Sequence, residues 1–139
     1  MKRNVYGALA MLAVALMVIM PLAQAQSRVK ANVPFAFSMS ERSLPAGNYQ
    51  IISLSDAVLE VWNSDAQHGQ LLPRQMWVKS NRIEHAKLVF HKYGDQYFLS
   101  EIWDGQSDTG VQLSESKREK ETKIAGNSNT LETVVVAMK

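Results

Sequence analysis

Two apolar arms meeting at a Gly-Asp pair constrain this sequence more than any other feature. The stretch "AKLVFHKYGDQYFLSEIW", residues 86–103, specifies a β-hairpin. Gly94-Asp95 can supply the backbone conformations of a two-residue turn, and Val, Phe, Tyr, Ile and Trp suit a pleated surface. Such a turn pairs Tyr93 with Gln96, His91 with Phe98, Phe90 with Leu99, Leu88 with Glu101 and Ala86 with Trp103. One face then carries Leu88, Phe90, Tyr97, Leu99 and Trp103, with Glu101 among them. The other carries Val89, His91, Tyr93, Phe98 and Ile102. Apolar groups on both faces place this pair at the centre of a sandwich or barrel.

Short β-type runs with turn signals between them fill the rest of the chain. "RVKANVPFAFSM" alternates through Val29, Ala31, Val33, Phe35 and Phe37, and Pro34, which cannot donate to a ladder, marks an edge strand or bulge. "SERSLPAG" is a turn-rich connector. "YQIISL" and "AVLEVW" are strands around Ser55-Asp56, "NSDAQHGQ" is a loop, "LLPRQMWV" is a further strand and "KSNRIEH" a polar connection. "DGQSDTG" ends the hairpin. At residues 131–138, Val134, Val135 and Val136 favour a strand, and their continuity suggests burial on both faces. Residues 114–126 form a charged helix or loop. Ser116 and Glu119 fit a capping box, and Lys117–Glu121 and Glu119–Lys123 are opposite charges at i,i+4. The expected fold is all-β: a single antiparallel sandwich or small barrel of about seven strands with one short C-terminal helical or charged segment.

Residues 1–25 read as a signal peptide. Lys2 and Arg3 precede an uncharged apolar run from Gly7 to Leu22, Pro21 interrupts it, and Ala23-Gln24-Ala25 offers a small-x-small cleavage site. The run is short for a membrane span, which needs about 20 residues, so membrane contact is expected only before cleavage. The protein is expected to be exported, to the periplasm or beyond, as a single domain of residues 26–139. Losing Lys2 and Arg3 lowers the basic count from 15 to 13, equal to the 13 acidic residues. A neutral mature chain without a basic run lacks what phosphate binding requires, so no nucleic-acid role is expected. The absence of cysteine excludes disulfides, thiol catalysis, cysteine–zinc sites and Fe–S clusters.

Few residues suggest chemistry. Glu101 on an apolar face must find a partner, expose its head or have its pKa raised by desolvation. A raised carboxyl pKa suits a general acid, whereas a partner such as Lys87, Arg74 or Arg82 makes Glu101 structural. His91 lies on the opposite face in this register, so the two form no catalytic pair. His85 and His91 are too far apart along one strand, about 20 Å, to share a metal, and Asp104 and Asp108 lack the ligand spacing of a calcium loop. Neither a Gly-x-Ser-x-Gly elbow nor a phosphate-binding loop is present. No cofactor, metal or catalytic set is therefore expected. Trp62, Trp77, Trp103 and Tyr97, with Glu101, are the candidates to line a pocket for a small apolar or sugar ligand.

"VPFAFSM…LPAGNYQI" followed by "AKLVFHKYGDQYFLSEIW…SDTG" resembles a family of small exported bacterial proteins of uncharacterised function. Across most of residues 29–118, the resemblance implies a signal peptide, one all-β domain and a location outside the cytoplasm. It implies no catalytic or binding residues. The function expected is that of a non-enzymatic structural or interaction domain of the cell envelope, with a protein partner or self-association. A small-ligand carrier is the alternative.

Overall fold

A computed structural model describes residues 28–74, 76–82, 84–126 and 131–139; the leader expected at 1–25 lies outside them. The backbone of the described residues forms eleven strands and one helix. Strand β1 (Arg28–Val33) buries Val29, Ala31 and Val33 and exposes the residues between, as its alternation requires. Pro34 then ends the ladder, and the chain crosses to β2 (Phe37–Met39), all buried, and β3 (Arg42–Leu44). A meander of β4 (Gly47–Ser55), β5 (Val58–Asn63) and β6 (His68–Pro73) completes a four-stranded sheet in the order β1-β4-β5-β6. As Pro34 suggested, β1 lies at the edge.

The second sheet contains β7 (Trp77–Lys79), β8 (Lys87–Tyr93), β9 (Gln96–Trp103), β10 (Thr109–Gln112) and β11 (Glu132–Ala137), ordered β11-β8-β9-β10-β7. β2 joins it through a parallel bridge between Ser38 and Phe98 and brings β3 along. The two sheets pack face to face as a sandwich rather than a closed barrel. At one side Lys30 and Lys139 exchange two backbone hydrogen bonds, 2.8 and 2.9 Å, which tie the C-terminus to the edge of the first sheet.

The core lies between the sheets. Ile51, Leu59 and Val61 of the first sheet meet Leu88, Phe90, Leu99 and Ile102 of the second, with Phe37 and Met39 from β2. Each such buried side chain contributes about 1.5–3 kcal/mol of transfer free energy, which must hold a chain with no disulfide. Tyr49 adds a buried polar anchor. Its hydroxyl donates to the Pro45 carbonyl at 2.6 Å and accepts from Asn63 Nδ2 at 3.0 Å. This accounts for "LPAGNY": Tyr49 pins the turn it follows, while a Cβ on Gly47 would meet Asp65 Oδ2 at 2.7 Å.

Two expectations change, and a third holds in part. Eleven strands replace about seven, because β2, β3 and β7 have only three residues each and β6 begins inside the stretch read as a loop. Val134–Val136 are not buried on both faces: β11 is an edge strand, and Val135 is 55% exposed between half-buried neighbours. The charged segment forms helix α1 (Lys117–Ala125), capped by Ser116. Only half of its capping box closes. Glu119 N–H donates to Ser116 Oγ at 3.0 Å, but the Glu119 carboxylate turns to the sheet.

Candidate functional site

The hairpin keeps the expected register from its turn as far as Phe90–Leu99 and then shifts by one residue. Ser100 is the extra residue of a β-bulge, and its carbonyl accepts from Leu113 N at 2.8 Å. Beyond it Val89 faces Glu101, Leu88 faces Ile102 and Lys87 faces Trp103. Ile102 thereby enters the core with Leu88. Glu101 and Trp103 move to the outer face of the sheet. The expected opposition of His91 and Glu101 is overturned, since both now lie on that outer face.

Neither group is free there. Glu101 Oε2 accepts the indole N–H of Trp103 at 2.8 Å, instead of pairing with Lys87, Arg74 or Arg82. The buried Trp103 ring packs over Gly110, where a Cβ would stand 2.7 Å from ring Cδ2. Lys87 Nζ lies 5.3 Å from the ring centroid. His91 Nδ1 meets Glu119 Oε1 at 2.8 Å, and Glu119 is the one buried residue of α1. Sequence reasoning assigned Glu119 to Lys123 in an i,i+4 pair, but Lys123 bonds Glu115 at 3.2 Å. Thr133 stands opposite His91 on β11, yet no hydrogen bond joins it to the imidazole among the described residues. The hydroxyl–imidazole–carboxylate series needed for nucleophilic activation is therefore not assembled.

Tyr93 lies nearby, its hydroxyl buried without a well-formed hydrogen bond. Burial, and then the neighbouring Glu119 carboxylate, push its pKa above the usual 10.0. Burial likewise raises Tyr49. At the loop before β8, the Ser80 hydroxyl and then Lys87 hold the Glu84 carboxyl down at about 2. Among the described residues no group of three or more His, Asp or Glu side chains is arranged to hold a metal ion.

The aromatic candidates are dispersed over the two sheets. Trp62, opposite Gln50 and Gly69, lies on the outer face of the first sheet. Trp103 occupies the outer face of the second. Tyr97 turns inward and stacks on Phe35, with centroids 3.8 Å apart and planes 13° apart. Trp77 faces a cleft.

That cleft, about 400 Å³, opens between the sheets beside β7. Trp77 pairs with Val111 and so points to the inner face, but at the last strand of its sheet it has no further neighbour and remains 52% exposed. Leu59, Ile102 and Val111 form an apolar floor, and Asp56, Asp104, Ser107 and Thr109 supply a polar rim. Arg74 completes the wall. Its guanidinium sits 5.8 Å from the Trp77 ring centroid and donates from Nη2 to Ser53 Oγ at 2.7 Å. Sequence reasoning missed the Arg74–Trp77 pair, although both residues fall in one short run around Pro73. Comparison with protein-family models, with curated proteins and with solved structures finds no match.

Proposed function

We propose that this chain is an exported β-sandwich that works by binding, as a non-enzymatic structural or interaction domain of the cell envelope. The supporting observation is a concentration of exposed apolar side chains where the first sheet hands over to the second. Leu71, Met76 and Trp77 are 60%, 43% and 52% exposed, although all are large and apolar. Leu71 stands on the outer face of β6 and Trp77 on the inner side of β7, and exposed apolar groups of this size at sheet edges suit an interaction site. β6 and β7 are also the outer strands of their sheets, so their backbones offer an edge to a partner strand. The residues best suited to acid–base chemistry, Glu101 and His91, are committed to Trp103 and Glu119.

Export follows from the leader-like sequence of residues 1–25, and the mature chain would begin at Gln26. A protein partner or a second copy of the chain fits such an edge. A small-ligand carrier is the second reading, and the cleft beside Trp77 favours it.

Two measurements test the proposal. Expression in an export-competent bacterium, with fractionation and N-terminal sequencing, is expected to yield a chain starting at Gln26 outside the cytoplasm. The purified mature chain is expected to sediment with isolated cell envelopes, and a Leu71→Ser, Met76→Ser, Trp77→Ala variant is expected to stay in the supernatant. A wild-type chain that remains soluble beside the envelopes and monomeric at every concentration would overturn the reading.

A further inference from the structure

We infer that the cleft beside Trp77 is a binding site for a neutral carbohydrate. This rests on the proposal that the Trp77 edge is a binding surface, and it specifies what that surface takes. The chemistry of the walls selects the ligand class by elimination. The cleft, at about 400 Å³, is in the size range of small-molecule sites. Its apolar floor invites a hydrophobic face. A wholly apolar ligand, however, would strip water from Asp56, Arg74, Asp104 and Thr109 without replacing their hydrogen bonds, which is costly. An anion would meet the two carboxylates, and a cation would meet Arg74.

A sugar satisfies both halves of the site. Its C–H face packs on an aromatic ring, and its hydroxyls both donate and accept. Trp77 supplies the half-exposed ring at the cleft wall. Asp56 and Asp104 accept from hydroxyls, and Arg74 donates. Arg74 is already oriented, because its bond to Ser53 and its position over the indole fix the guanidinium. A donor fixed in advance loses less rotamer freedom when the ligand arrives. The cleft opens between two sheet edges, so either a free oligosaccharide or the end of an envelope polysaccharide presents the same chemistry.

The test titrates the folded mature chain with maltose, cellobiose and chitobiose, and in parallel with benzoate, following heat and tryptophan fluorescence. At least one disaccharide is expected to bind, with Trp77→Ala weakening it by about tenfold or more. Trp77→Phe is expected to keep the heat and lose the fluorescence change, while Trp62→Phe keeps both. Arg74→Lys is expected to weaken binding, since a lysine lacks the planar fork. Sedimentation with insoluble cellulose or chitin, competed by the matching disaccharide, separates the polysaccharide source from the free sugar. Silence with every sugar, binding indifferent to Trp77→Ala, or benzoate displacing the sugar would each overturn the assignment. If envelopes still retain the chain while all sugars are silent, the carbohydrate assignment falls and the interaction reading stands.

Discussion

The Glu101 carboxylate and the Trp103 indole, two residues apart on β9, share a 2.8 Å hydrogen bond on the outer face of the second sheet. The bond turns the most reactive-looking acid of the hairpin into the acceptor that a buried indole N–H requires. Removing it with Glu101→Ala leaves that donor unpaired and is expected to cost about 1–3 kcal/mol in urea unfolding. Glu101→Gln keeps an acceptor oxygen and is expected to lose much less. Equal losses for the two variants would detach Glu101 from this role.

Gly110 is required by the same ring. A Cβ there would stand 2.7 Å from Trp103 Cδ2 and 3.1 Å from the Ile102 carbonyl. Gly110→Ala is therefore expected to destabilise the fold by about 1–3 kcal/mol through overpacking. Thermal unfolding checks this, and pairing it with Trp103→Phe, which opens space, is expected to recover part of the loss.

Helix α1 carries little apolar surface toward the sheet, and Ile124 is 81% exposed. Its docking depends on the His91–Glu119 bond and on weaker polar contacts such as Thr122 Oγ1 to Gln96. A double-mutant cycle of His91→Ala and Glu119→Ala is expected to give a coupling energy of about 0.5–3 kcal/mol. Hydrogen exchange in Glu119→Ala is expected to accelerate for residues 117–125 and to leave β5 unchanged. Unaltered exchange in the helix would mean that other contacts hold it.

Alkaline pH should act through two tyrosines. The pKa values of Tyr49 and Tyr93 are raised in the folded chain above the usual 10.0. The unfolded chain therefore releases these protons first, and stability is full below about pH 10 and falls as pH rises past it. Tyrosinate absorbance is expected to show these two titrating above the usual 10.0, together with unfolding. Acid acts in the opposite sense at Glu84, whose folded value of about 2 lies below the usual 4.5. Its contribution is present above about pH 4.5 and is lost as pH falls toward 2, and a carboxyl titration by NMR in Ser80→Ala is expected to show the value rising.

Much of the fold was legible in local chemistry. Gly94-Asp95 set the hairpin turn, alternation set β1, and Ser116 set the start of α1, because each depends on residues within one or two turns of chain. The bulge was not legible, since what fixes Ser100 is a hydrogen bond from Leu113 on another segment. That single inserted residue moved Glu101 across the sheet and Ile102 into the core. The Glu119 carboxylate escaped for the same reason, because the imidazole it meets lies 28 positions away. A run of three valines reads alike at an edge and in a centre, so β11 was placed too deep. The aromatic residues were identifiable by type, but which face each takes depended on the register of its strand. Trp77 ended beside a cleft.

The most direct test of binding at the Trp77 edge is an amide chemical-shift map of the folded mature chain, titrated with detergent-solubilised cell envelopes. Perturbations are expected to cluster on Leu71, Arg74, Trp77 and Thr109 and to be absent in Trp77→Ala. Perturbations confined to the outer face around Trp62 or to helix α1, or none at all, would contradict it.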